Sequence, residues 1–165
     1  MTAYQPITVR QPALYDIVDD PVAVSGVGTG FEGTFAARVR DAQGHQLGQV
    51  TIHAGGSGIW GNFQVGIALS GVPGTPQGML EVYEVSAAGA GEVNKVTVLV
   101  TFGRALLNPY HGFLEHTVAQ GETLSAIAGR YYGNVNLWPR VFEANRHILL
   151  DANRIFIGQV LRIPQ

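Results

Sequence analysis

Cysteine is absent from the 165 residues. Disulfide frameworks and thiolate metal sites are thereby excluded, and no redox compartment can be read from the chain. Charge is also sparse. Charged residues make up 13% of the chain and the formal net charge is −2 at pH 7, so no basic field invites nucleic acid. Long hydrophobic runs are missing, since no apolar stretch reaches the roughly 18 residues of a membrane-spanning helix. The opening "MTAYQPITVRQP" lacks a charged segment followed by an apolar one, so no secretory signal is visible. Two locations follow as expectations: cytoplasmic if Met1 is the native start, and the cell envelope if the chain is processed or specially exported.

What is present is a core-forming composition, 46% apolar, arranged with two different periods. Residues 1–102 read as strands. "PVAVSGV", "TFAARVRD", "LGQVTIHA", "WGNFQVGIAL", "GMLEVYEVSA" and "VNKVTVLVTF" are rich in β-branched and aromatic residues, and turns such as "DAQG", "AGGSG" and "GVPGTPQG" separate them. Short strands with regular turn signals predict a sandwich or barrel. Phe35, Ala37 and Val39 alternate with Ala36, Arg38 and Arg40, the period of a strand with one buried face. Val96, Val98, Val100 and Phe102 repeat it. Residues 103–114 form a connector. Its Pro109 and Gly112 break regular structure, and its Leu106, Leu107, Tyr110 and Phe113 predict docking rather than free swinging.

Residues 115–165 carry the helical period. Leu124, Ile127, Ala128 and Tyr131 form one stripe, Thr123 is placed to cap it and Gly133 to end it. Asn136 is the expected cap of a second helix in "LWPRVFEAN", where Pro139 is tolerated in the first turn. Trp138, Val141 and Phe142 share a face, and "QVLRIP" closes as a strand with Leu161 and Ile163 on one side. The expected order is β-α-α-β. Charge divides mildly: five Lys and Arg against eight Asp and Glu in residues 1–113, five against four in residues 114–165.

Several chemistries are weighed and set aside. "GTGFEG", Gly28 to Gly33, matches a dinucleotide-binding pattern but leads into a strand rather than a helix, so a bulge or tight turn is expected. None of His45, His53, His111, His116 and His147 is paired four residues from another His or a carboxylate as in a zinc-protease helix, so no metal site is expected. Glu115, Glu122 and Glu143 show no sign of a glycosidase pair, and Ser57 lacks the strand–Ser–helix setting of a nucleophile elbow. The expectation is a protein that is not an enzyme, with no catalytic residues and no cofactor. Trp60 and Phe63 are expected in the sandwich core, Trp138 and Tyr131 mostly in the second core, and Tyr132 at the surface as a contact residue.

The segments "HTVAQGETLSAIAGRYYG", "LWPRVFEANR" and "IFIGQVLRIP" together closely resemble a LysM domain over residues 115–164. The resemblance implies two helices on one side of a two-stranded antiparallel sheet, and non-catalytic binding of N-acetylglucosamine glycans such as peptidoglycan or chitin. It also implies a shallow groove between two loops. Gln120, Gly121, Glu122, Thr123 and Leu124 form one wall; Asn145, Ile148, Leu149, Asn153 and Ile155 form the other. Backbone groups near Gly121 would meet the acetamide, and Leu124 and Ile148 would hold its methyl. The second loop departs from many wall-binding members: it is longer, and Ile157-Gly158-Gln159 stands where they have Pro-Gly-Gln. It looks more like LysM domains of bacterial proteins that stay in the cytoplasm. Residues 5–102 resemble the immunoglobulin-like domain named for bacterial spore germination (Gmad2), through "ITVRQP", "VAVSGVGTGFEGTFAARVRDAQG", "IWGNFQVGIAL", "GMLEVYEVSA" and "VTVLVTF". That resemblance implies a binding or spacing module. The partners expected are an N-acetyl glycan, another protein or a second copy of the chain. The competing expectation is an intracellular scaffold that uses the LysM fold to dock protein.

Overall fold

The computed structural model describes residues 6–86 and 91–165. Its first half is a β-sandwich. One sheet holds β1 (Ile7–Gln11), β3 (Val22–Gly28) and β6 (Gly61–Ile67), with β3 in the middle. The other runs in the order β2 (Asp16–Val18), β8 (Glu92–Phe102), β7 (Gln77–Val85), β4 (Thr34–Asp41) and β5 (Gln46–His53). Neighbours are antiparallel except for the β2–β8 pair, which is parallel. Alternate residues fill the gap between sheets: Val22, Val24, Phe63 and Ile67 from one side, Phe35, Ala37, Val39, Leu80, Val82 and Val100 from the other. Each such Val, Leu, Ile or Phe side chain contributes about 1.5–3 kcal/mol when fully buried. Of the sandwich or barrel that the strand periods predict, the sandwich is present, as the immunoglobulin-like resemblance implies.

Three details differ from the sequence reading. Trp60 is 46% exposed, so only Phe63 of the expected pair is core. The β4 strand is buried on both faces, not one. Arg38 and Ala36 are covered on the outer face because Arg38 is locked by Glu81 and Glu92 and lies 4.6 Å from the Tyr83 ring centroid. Asp41 and His45 do pair four residues apart, at 2.9 Å, but around the β4–β5 turn rather than along a helix. "GTGFEG" makes the tight turn expected, a single 3₁₀ turn over Phe31–Gly33 that feeds β4.

The connector docks, as its apolar residues predict. It opens with a one-turn helix α1 (Gly103–Leu106), whose Leu106 is buried. A Cβ on Gly103 would lie 2.4 Å from the Tyr110 ring, so this close approach needs glycine. The LysM sheet begins within the connector: β9 (Phe113–Thr117) pairs antiparallel with β10 (Val160–Pro164). Between them come α2 (Leu124–Tyr132), a 3₁₀ turn over Val135–Leu137 and α3 (Trp138–Ala144). The order is the expected β-α-α-β.

A second, separate core joins these elements through Val118, Leu124, Ile127, Ala128, Val141, Leu149, Leu161 and Ile163. Thr123 caps α2 by accepting from the Ala126 N–H at 3.1 Å, and Gly133 ends it at φ 68°. The expected cap Asn136 is not one. Asn134 takes that role for the 3₁₀ turn, its Oδ1 accepting from the Asn136 N–H, and α3 then starts without a side-chain cap. Pro139 does lie in the first turn of α3. Tyr132 is not a surface contact: its ring packs on the second core and its hydroxyl donates to the Pro164 carbonyl at 3.1 Å. Burial pushes the Tyr132 phenol up to about 12.

The two halves touch through polar contacts. Gln77 Nε2 donates to the Glu143 carboxylate at 3.0 Å, and Arg162 Nη2 lies 3.6 Å from Asp16.

Candidate functional site

The first wall of the groove is the turn between β9 and α2. Gly121 adopts φ 80°, where glycine is favoured, and a Cβ there would meet nothing within 4 Å. Within the protein, its glycine is required by the turn's backbone conformation and not by a neighbouring atom. Glu122 then reaches back. Its Oε2 accepts from the Ala119 N–H at 2.8 Å and lies 2.7 Å from His116 Nε2. His116 is buried on β9, and its Nδ1 is 3.1 Å from the Tyr131 hydroxyl on α2. The Ala119 N–H, then His116, hold the Glu122 carboxyl below the usual carboxylate range. Thr123 and Leu124 follow as cap and first residue of α2.

The second wall is the loop before β10. Asp151 makes a local turn by accepting from the Asn153 N–H at 2.9 Å. Gln159 staples the loop's end, its Oε1 accepting from the Phe156 N–H at 3.1 Å and its carbonyl from Val118 N–H at 2.9 Å. The loop thus hangs from the same strand that leads into the first wall.

Between the walls lies a cleft of about 380 Å³, lined by Glu122, Thr123, Leu124, Ser125, Trp138, Ala152, Asn153 and Ile155. Five of the ten residues expected at the groove converge here: Glu122, Thr123, Leu124, Asn153 and Ile155. Gln120 and Gly121 remain on the exposed turn outside it. Asn145 is fully buried beneath, bonded to Val141 and to both backbone groups of Arg162. Leu149 is in the core at 1% exposure, and Ile148 is part-exposed but outside the cleft. Ser125, Trp138 and Ala152 were missed. Trp138 reads as mostly core because it shares a face with Val141; half-buried at the start of α3, it packs on the second core and also lines the cleft. The available signal was Pro139, which marks Trp138 as a helix-end residue. Chemically the cleft offers an apolar floor from Leu124, Trp138 and Ile155 with a polar rim from Glu122, Thr123, Ser125 and Asn153.

The fold and cleft define a two-domain protein, an immunoglobulin-like sandwich followed by a LysM domain. Residues 6–91 match the immunoglobulin-like domain of bacterial spore germination, Gmad2, and residues 116–164 match the LysM domain. The first match spans just over half of the chain, which belongs to that family and carries the LysM domain behind it. A LysM domain supports a carbohydrate- or peptidoglycan-binding role in general terms. Among similar proteins, the potassium binding protein Kbp of Escherichia coli O6:H1 is 52% identical over 50 residues, 30% of this chain and 34% of its own. Esterase Rv1288 of Mycobacterium tuberculosis is 40% identical over 65 residues, 39% of this chain and 13% of its own. YqbP of Bacillus subtilis is 32% identical over 59 residues, 30% of this chain and 27% of its own. The chain thus spans about a third or less of the length of these relatives.

Proposed function

We propose that the cleft between Thr123 and Asn153 recognises an N-acetylglucosamine-containing glycan such as peptidoglycan, without chemistry, and that the sandwich spaces or docks it. The observation that carries this reading is the lining itself. An apolar floor with Leu124, Trp138 and Ile155 suits the acetyl methyl and one sugar face, and the rim offers hydroxyl, amide and backbone groups to the rest. One shallow site buries little area, so useful affinity comes from many repeats on a polymeric ligand. The non-catalytic part of the proposal is supported by Glu122. A glycosidase acid needs a raised pKa, and this carboxyl is lowered by Ala119 and His116. Glu143, on another face, is occupied by Gln77. The esterase relative shares only 13% of its length, so its named activity contributes nothing to the proposal.

The test is pull-down by insoluble peptidoglycan, with soluble chitin oligomers as competitors, for the chain and for Ile155→Asp and Trp138→Ala. Binding that Ile155→Asp abolishes while its melt is unchanged supports the cleft. Absence of binding by the unaltered chain overturns the glycan reading. Because one relative is named for potassium binding, the pull-downs are run in sodium and in potassium buffers. Steady release of reducing sugar that stops in Glu122→Gln would overturn the non-enzyme reading.

A second reading has its own observation. Beside the cleft, Leu150 is 92% exposed, Ile157 70% and Phe156 63%. So much apolar surface on one loop suits a protein-docking adaptor. Under that reading Phe156→Asp breaks a native complex and leaves glycan binding untouched.

A further inference from the structure

On β7 the inward row is Gly78, Leu80 and Val82, all in the sandwich core or beside it. Glu84 continues that row at the end of the strand. A Cβ on Gly30 would lie 2.8 Å from the Phe35 ring and 2.9 Å from Glu84 Oε1, so the carboxylate and this core aromatic border the same glycine. Glu84 is 9% exposed, and its Oε1 is buried with no hydrogen-bond partner among the described residues. The hydroxyl of Thr29, a residue 3% exposed, is in the same condition. Glu81, three residues earlier on the same strand, is instead met by Arg38, Arg40 and Lys95. A buried carboxylate oxygen without a hydrogen-bond partner is disfavoured unless something satisfies it.

Glu84 and Thr29 help to line one surface cavity of about 340 Å³, shared with Pro6, Ser57 and Asn94, and their two orphan oxygens lie just beneath its wall. Two of these residues hold left-handed backbone, Ser57 at φ 50° and Asn94 at φ 55°. Asn94 owes its conformation to a bulge: Val82 pairs with Val96 and Glu84 with Val93, so Tyr83 alone faces two residues of β8. Bulges re-aim side chains, and strained residues gather where ligands bind.

The donors available are oxygens with a total charge of −1: one carboxylate, two hydroxyls and an amide. Among the described residues no group of three His, Cys, Asp or Glu gathers, so a divalent ion would stay uncompensated. A bare monovalent ion matches the charge but has no apolar part to lie against Pro6. A primary alkylammonium satisfies both conditions, with one positive charge, three N–H donors and an apolar stem to lie against Pro6.

We propose that this cavity binds a primary ammonium group, with Glu84 as its counter-ion and Thr29 and Asn94 as further acceptors. The group comes either from a free amine or from a lysine side chain of a polypeptide. The cavity lies on the sandwich, so the proposal stands apart from the glycan reading.

Amide chemical shifts of the full chain are followed while n-butylamine, Nα-acetyl-lysine methylamide or a peptide with one internal lysine is added at pH 7. Butanol and potassium chloride serve as the neutral and ionic controls. Saturable shifts confined to the neighbourhood of residues 29, 57, 84 and 94 are expected with the amines and not with butanol. If the peptide binds as well as butylamine, the source is a lysine side chain; if only small amines bind, it is a free amine. Glu84→Gln and Thr29→Val keep shape and are each expected to weaken binding at least tenfold. No saturable shift with any amine, equal shifts with butanol, saturation by potassium alone, or full binding by a folded Glu84→Gln would each overturn the proposal.

Discussion

Asn145 tests whether the buried polar joint under the cleft is structural. Its side chain makes three hydrogen bonds: Nδ2 donates to the Val141 carbonyl at 2.7 Å and to the Arg162 carbonyl at 2.8 Å, and Oδ1 accepts from the Arg162 N–H at 2.8 Å. It thereby ties the end of α3 to the middle of β10. Asn145→Ala removes all three. At about 1 kcal/mol net for each bond, with part of the freed backbone still buried, the expected loss is about 3 kcal/mol and within ~2–5 kcal/mol. A unit of roughly fifty residues has about 2.5–7.5 kcal/mol in total, so the variant loses a large share of it. Asn145→Asp is expected to do at least as much harm. It keeps the acceptor for Arg162 N–H but turns a second oxygen toward two carbonyls. The assay is urea unfolding followed by Trp138 fluorescence in a Trp60→Phe background, so that the signal reports the LysM half. A loss below 1 kcal/mol would refute the reasoning. So would an Asn145→Ala chain of unchanged stability that no longer binds peptidoglycan, since that would make Asn145 a ligand contact.

Ile127 is fully buried in the middle of the α2 stripe, so Ile127→Ala is expected to cost about 2–5 kcal/mol in the same assay. Thr123→Ala removes the cap of α2 and should cost about 0.5–2 kcal/mol whether or not the cleft binds sugar. The Glu122 carboxyl is lowered in the folded chain, first by the Ala119 N–H and then by His116. Its stabilisation is therefore complete above the ordinary carboxylate value of about 4.3 and is lost as pH falls through the lowered one. Melting temperature measured against pH should drop on that acid side, and Glu122→Gln should flatten this part of the drop. Residues 111–165, which include the backbone bonds between His111, Gly112 and Gln165, are expected to melt cooperatively alone; a fragment without a transition would mean that the sandwich completes its core.

The periods along the chain were enough to read an all-strand first half, sandwich or barrel, and a β-α-α-β second half. Alternation in "TFAARVR" and the stripe Leu124, Ile127, Ala128 and Tyr131 each point one row of side chains inward, and burial of that row selects the element. Thr123 and Gly133 were legible as helix ends because capping is local: the partners lie within four residues. What tertiary structure alone decided is where polar and aromatic side chains go. Arg38 reads as solvent-facing but is buried, because its partners Glu81 and Glu92 lie over forty residues away. Asn145 reads as a loop residue facing a ligand, yet β10 folds over it. Trp138 reads as mostly core and does pack on the second core, but only the fold shows that it also lines the cleft. Glu84 reads as one more polar position on a strand, and only the meeting of the two sheets around Phe35 makes it a buried carboxylate. Hydrophobic burial acts through spacing along one segment, whereas hydrogen-bond partners and cavities depend on segments brought together by the whole fold.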